Sequence, residues 1–194
     1  MTYRFESTTA LLVVDVQNDF THPDGNLYVE GAEEIVPLVN QHIVEAREAG
    51  ALVVHTQDWH PPSTPHFESD GGVWPEHCVQ GTWGAELHAD LHTGADVILR
   101  KGTGGEDGYS AFSIRHPETS EERSLGLHAL LEARGIRKVV VVGLAADVCV
   151  KETALDAASM GLETVVLSEL TRPVDPDSAD AAYAEMAAAG VEIV

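Results

Sequence analysis

The run from His55 to Cys78 holds four of the chain's ten histidines, two tryptophans and four prolines, and it follows directly on an apolar, strand-like segment. Asp58 and His60 are two residues apart, so in extended backbone both side chains leave the same face. His66 and His77 come later, each directly after or close to a proline that stiffens the chain. A long loop of this composition is more often functional than idle. One carboxylate and three imidazoles can hold a divalent transition metal. By itself such a site suggests a hydrolase whose nucleophile is a metal-activated water. The plain alternative is a handful of exposed loop histidines.

A second kind of chemistry lies at Cys149, in Gly143-Leu-Ala-Ala-Asp-Val-Cys149-Val-Lys-Glu-Thr-Ala, where a strand passes through small residues into a helix. A thiol in the first helical turn feels the positive end of the helix dipole, which favours thiolate. Backbone N–H groups of that turn have no intrahelical partners and can hold an oxyanion. Read alone, a cysteine beside valines is more often an inert core residue. Asp15 ends another apolar run, and alone it is a solvated loop carboxylate. Lys101 ends a third just before flexible glycines, and alone it is a surface charge with a buried stem. If the three meet, the carboxylate can take the thiol proton while the ammonium steadies both anions, lowering the pKa of each.

The elements that must position these groups read clearly. Thr9–Val16, Ala51–Thr56, Ala95–Arg100, Lys138–Gly143 and Glu163–Leu167 are short continuous apolar runs, the mark of strands buried on both faces, and Val191–Val194 can add a last one. Between them Ile35, Val39, Ile43 and Ala46 recur at helical spacing, with Gly50 as the stop. Helices are also expected over 125–134, 148–160 and 178–189, closed by Gly135, Gly161 and Gly190, the last one capped by Asp177 or Ser178. Alternation of this kind predicts an α/β three-layer sandwich, a mostly parallel sheet of roughly six strands with helices on both faces. Ligand sites of such sheets lie beyond the carboxyl ends of the strands. Asp15, Asp58, Lys101 and the segment after Gly143 all fall there, so one crevice can gather them.

The chain has 194 residues, which suits one domain with one core. A net charge of −21 argues against nucleic acid and anionic membranes as partners. It fits a high-salt habitat or a biased genome equally well. Two cysteines, Cys78 and Cys149, give no disulfide framework and favour a reducing cytoplasm. The first nine residues contain no apolar leader, and no run is long enough to span a bilayer. Whether the protein forms a homo-oligomer is left open. His22, His42, His88, His92, His116 and His128 have no partner pattern. Cys78 reads as structural, because in extended backbone its side chain points away from that of His77. The glycine-rich stretch 102–108 lacks the Gly-Lys-Ser/Thr ending of a phosphate loop and carries two acids, so that reading is rejected.

Taken together, Asp15-Val-Gln-Asn-Asp-Phe20, Asp58-Trp-His60 with His66, Trp74-Pro-Glu-His-Cys-Val-Gln-Gly81-Thr, Lys101-Gly and Ala145-Ala-Asp-Val-Cys149-Val closely resemble the nicotinamidase/pyrazinamidase family of isochorismatase-like cysteine hydrolases. The resemblance covers nearly the whole chain, in order. It implies one isochorismatase-like domain over 1–194 with a metal-binding loop at about 58–93. It further implies a catalytic triad of Asp15, Lys101 and Cys149. The metal would be held by Asp58, His60, His66 and His77, with waters completing its shell: zinc first, iron or manganese as alternatives. A cis peptide at Leu144–Ala145 and an oxyanion hole from the Ala145 and Cys149 amides belong to the same pattern. Phe20 and Trp74 match positions that sandwich the substrate ring, and Tyr109 matches a pocket tyrosine. The activity implied is hydrolysis of nicotinamide, and of pyrazinamide, through a cysteine thioester, with the metal orienting the ring. Two departures stand out, Glu106-Asp107 after Lys101 and Phe-Glu-Ser-Asp-Gly-Gly after His66. The alternatives are another hydrolase of the same superfamily, such as one for N-carbamoyl amides, and a non-catalytic metal-binding protein.

Overall fold

A computed structural model describes residues 3–94 and 96–194. The main sheet is built from β1 (Thr9–Val14), β2 (Leu52–Asp58), β3 (Val97–Lys101), β6 (Lys138–Leu144), β7 (Glu163–Arg172) and β8 (Glu192–Ile193). Its order is β3-β2-β1-β6-β7-β8, and every pairing is parallel. The strand expected from Ala95 begins at Val97; Ala95 itself, like Met1 and Thr2 of the leader reading, lies outside the described residues.

Alternation along the strands sends side chains to two cores. Leu11, Val13, Val140, Val142 and Val165 pack under α2 (Ala32–Glu48), against its buried stripe Ile35, Val39, Ile43 and Ala46. Ala10, Leu12, Val14, Val139, Val141 and Val166 face α3 (Leu127–Ala133), α4 (Cys149–Ser159) and α5 (Pro176–Ala188) on the other side. With both faces covered, the central strands need apolar residues at every position, which is why they read as unbroken runs. The last helix starts earlier than expected: Asp175, not Asp177 or Ser178, is its cap, accepting the Asp177 amide at 3.0 Å.

Five elements among the described residues have no counterpart in the sequence reading: the short α1 (Asn18–Thr21), two 3₁₀ turns (Glu68–Asp70 and Trp83–Ala85) and the two strands of an antiparallel hairpin, β4 (Ser113–Arg115) and β5 (Glu122–Ser124). Among the described residues no helix is long and apolar enough to cross a membrane.

The chain builds the sheet outward from β1 to β3 on one side and from β6 to β8 on the other, so the order reverses between β1 and β6. At that switch the strand ends diverge and leave a crevice. Gly143 makes the approach possible. It has φ +105, and a Cβ there would lie 2.1 Å from the Val14 carbonyl oxygen. Asp15 and Cys149 leave the sheet from these two neighbouring ends.

Candidate active site

Asp15 follows β1 directly, in the left-handed region at φ 47, and is completely buried. Thr56 on β2 holds it at two points: its hydroxyl donates to Asp15 Oδ1 (2.6 Å) and accepts the Asp15 amide (3.1 Å). Lys101, the last residue of β3, is equally buried. Its Nζ donates to Asp15 Oδ2 (2.6 Å), Asp58 Oδ1 (2.7 Å) and the Gly108 carbonyl, and lies 3.5 Å from Cys149 Sγ. A lysine that read alone as a surface charge therefore sits inside, paired with two carboxylates.

Cys149 is the first residue of α4, and a cis peptide joins Leu144 to Ala145 in the turn before it. The turn is held from both sides. Ala146 N–H donates to the Arg172 carbonyl (2.9 Å), and the Ala145 carbonyl accepts from Val148 and Val150. Asp147 accepts the Val174 and Asp175 amides, tying in the chain that follows β7.

Burial sets the protonation states. It raises the Asp15 carboxyl to about 6, only partly offset by Lys101. Burial likewise pushes the Cys149 thiol well above its ordinary value, again against Lys101. Lys101 does act downward on both groups, as expected, but desolvation outweighs it and leaves no net thiolate preference from the helix terminus; the resting pair is a neutral thiol beside a carboxylate. For Lys101 burial works the other way, yet Asp15 and Asp58 hold its ammonium well above the usual range, so it stays charged. Asp58 remains ionised, since despite burial Lys101 holds it well below the ordinary carboxylate value.

Asp58 links this cluster to the histidines. Gln17 clamps its backbone, donating to the Asp58 carbonyl and accepting the Asp58 amide, each at 2.8 Å. While Oδ1 meets Lys101, Oδ2 lies 3.8 Å from both His60 Nε2 and His77 Nε2. His60, His66 and His77 each present a ring nitrogen within 4.8 Å of the others, and all three are buried. Asp58 and His60 do share a face, as their spacing predicts. Gly102 makes room, since a Cβ there would lie 2.6 Å from His60 Cε1. Cys78 departs from extended backbone at φ 46, but its thiol still turns away from the site, toward the Gly84 carbonyl.

These residues fit a divalent metal. The His66 Nδ1 faces Asp107 Oδ1 (2.6 Å) and the His77 Nδ1 faces the Pro75 carbonyl (2.8 Å). Both partners are acceptors, so each Nδ1 carries the proton and each Nε2 lone pair is left for the site. The His60 ring is fully buried with neither nitrogen hydrogen-bonded, a costly arrangement unless one of them serves as a ligand.

A narrow pocket opens between the two clusters, lined by Phe20, Leu27, Asp58, His66, Trp74, His77, Tyr109, Leu144, Ala145, Val148, Cys149 and Val174. Phe20 and Trp74 contribute aromatic faces, and Trp74 Nε1 donates to the Tyr109 hydroxyl (2.9 Å). Burial raises the Tyr109 phenol to about 12, so it remains a donor. Asp15 and Lys101 lie behind this lining. Sequence reasoning missed Leu27, Val148 and Val174 in the wall, and Gln17, Thr56 and Asp107 behind it. Gln17 and Val148 were legible only as parts of the Asp15–Phe20 and Ala145–Cys149 motifs, and Asp107 only as part of the Glu106-Asp107 departure; Leu27, Thr56 and Val174 had no such signal.

An isochorismatase domain model matches residues 9–194. A nicotinamidase from Acinetobacter baylyi is 42% identical over 203 residues, spanning 94% of this chain and 90% of that protein. The solved structure of PnC1 from L. infantum in complex with nicotinate is similar at TM-score 0.89 and 40% identity, covering 100% of this chain and 96% of that one. A pyrazinamidase of Pyrococcus horikoshii, solved in complex with zinc, is similar at TM-score 0.84 and 38% identity, covering 96% of this chain and 98% of the other. With a match running from β1 to the last residue, this chain belongs to the isochorismatase family and, within it, to the nicotinamidases.

Proposed function

We propose that this protein hydrolyses nicotinamide to nicotinate and ammonia, and pyrazinamide likewise, with Cys149 as nucleophile, Asp15 as general base and acid, and Lys101 as their fixed counter-charge. The observation that carries the reading is the meeting of Lys101 with Asp15 and Cys149, with Cys149 exposed to a pocket whose wall also holds His66 and His77, two of three clustered imidazoles. In this reading the whole chain works as one domain, and the loop of about 58–93 supplies the metal ligands. Two buried free cysteines suit a reducing cytoplasm.

The chemistry follows from the resting states. Asp15 takes the Cys149 proton as sulfur attacks the carboxamide carbon. The Ala145 and Cys149 amides donate to the developing oxyanion. Protonated Asp15 then delivers its proton to the departing nitrogen, the C–N bond breaks, and ammonia leaves behind a thioester. Water attacks the thioester carbon while Asp15 accepts its proton. The C–S bond breaks, nicotinate departs, and the proton returns to sulfur. Phe20 and Trp74 hold the ring, and Tyr109 keeps Trp74 in place. Asp58, His60, His66 and His77 would hold a divalent metal, zinc first with iron or manganese as alternatives, whose contribution is a Lewis-acid grip on the ring nitrogen.

A substrate comparison tests that division of labour. Benzamide has the same amide and no ring nitrogen, so its kcat/KM should fall about 100-fold below that of nicotinamide. Equal turnover of the two in an ammonia-release assay would return the histidine site to a water-activating role.

The pH profile tests the base. Asp15 must be ionised to accept the thiol proton, and its carboxyl titrates at about 6. Activity should therefore fall roughly tenfold per unit below about pH 6. The Thr56 hydroxyl stabilises the ionised form. Thr56→Val should move the acid limb of kcat/KM to higher pH, and Thr56→Ser should restore it. An acid limb that does not move in Thr56→Val would exclude Asp15 as the base, and a wild-type limb near 3.8 would mean that burial does not raise it.

A further inference from the structure

The three imidazoles are supported unequally. His66 Nδ1 meets a carboxylate at 2.6 Å, His77 Nδ1 meets a neutral carbonyl at 2.8 Å, and neither nitrogen of His60 has a partner. We propose that Asp107 is a positioning residue for the metal, making His66 the strongest of the three imidazole donors and setting the affinity of the site. The inference rests on the metal-binding reading above.

Three features support it. The Asp107 carboxylate is only 18% exposed, and a charged acceptor at this distance fixes the Nδ1–H tautomer more firmly than a carbonyl does. Its position is rigid, because both backbone groups of Asp107 are paired with Arg115, at 2.7 and 3.1 Å. The loops are also stitched together beside this contact. Thr64 Oγ1 donates to the Gly105 carbonyl (3.0 Å) and accepts the His66 amide (3.2 Å). The Glu106-Asp107 pair that departs from the family pattern thus divides its work. Glu106 binds the Gly104 amide in its own loop and Arg123 on β5, while Asp107 reaches across to the ligand.

The test is the affinity for Zn²⁺ alone, measured on metal-stripped full-length protein by competition with a chromophoric chelator. Asp107→Asn keeps the shape and the backbone pairing while removing the charge. It should weaken Zn²⁺ binding about 10- to 100-fold with the melting temperature of the stripped protein unchanged. Turnover at saturating Zn²⁺ should return to within a few-fold of wild type. Asp107→Ala should show the same sign and at least the same loss. His66→Ala is the reference. If it loses Zn²⁺ while Asp107→Asn binds within about twofold of wild type, the role of Asp107 is overturned and the site stands. If His66→Ala also binds as wild type does, the metal-binding reading itself fails.

Discussion

Cys149→Ala is expected to release no ammonia from nicotinamide above background, a loss on the order of 10⁴ to 10⁶ in kcat. The size follows from the absence of a substitute. Cys78, the other thiol, is buried and turned toward the Gly84 carbonyl. The fold should survive, because alanine is the best helix former and only a sulfur atom is removed from the first residue of α4. The histidine cluster is untouched, so nicotinamide binding should persist, and isothermal titration of the variant can show it. That combination separates two nucleophiles. If water activated at the histidine site attacked the amide directly, the variant would retain substantial turnover. In the wild-type enzyme, acid quenching during turnover should trap a nicotinoyl group on Cys149, visible by mass spectrometry of the intact chain.

How much of this was legible before the structure depends on where each partner lies in sequence. Val139 to Val142 and Leu11 to Val14 announce buried parallel strands whose ends could gather Asp15 and Cys149 in one crevice; that the two strands are neighbours appears only in the sheet order. Strand β7 was legible only to Leu167, because Ser168 and Glu169 interrupt the apolar pattern. The strand nevertheless runs on through buried Leu170 and Thr171 to Arg172, whose carbonyl holds the Ala146 amide. The invisible end of β7 is therefore the part that steadies the turn before Cys149. Strands β4 and β5 have three residues each, too few for any periodicity to register.

Side chains behind the site were hidden for another reason. Thr56 with Asp15, Gln17 with Asp58, and Asp107 with His66 are all pairs 41 residues apart, joined only once the strands lie side by side. Family resemblance names groups that touch substrate and metal; the hydrogen bonds that orient them depend on packing. The net direction of the pKa shifts was hidden on the same account. Lys101 opposes the charge of Asp15 and Cys149 as its type suggests, but complete burial of the cluster, which no local pattern states, has the larger effect.

That balance makes Lys101→Met the second large prediction. Lys101 is the cation between two buried carboxylates, and Met replaces it with a side chain of similar length and no charge. Removing one partner of a buried ion pair typically costs about 3–5 kcal/mol, since the remaining charge is left desolvated. Turnover should fall about 10³-fold or more, because the Thr56 hydroxyl alone then opposes the burial of ionised Asp15 next to Asp58. The destabilisation should itself depend on pH, with a definite sign. Asp15 already titrates at about 6 in the folded protein against 3.8 as its ordinary value, and without Lys101 its folded value moves higher still. Between those two values the folded state binds more protons than the unfolded one, so stability falls as pH rises through the window and then levels off. The melting temperature of Lys101→Met should therefore approach that of wild type near pH 4 and drop away from it toward pH 8. Residual kcat/KM should show its acid limb above pH 6. A variant that matches wild type in turnover and in melting temperature at pH 8 would mean that the ammonium is not what holds the two carboxylates together.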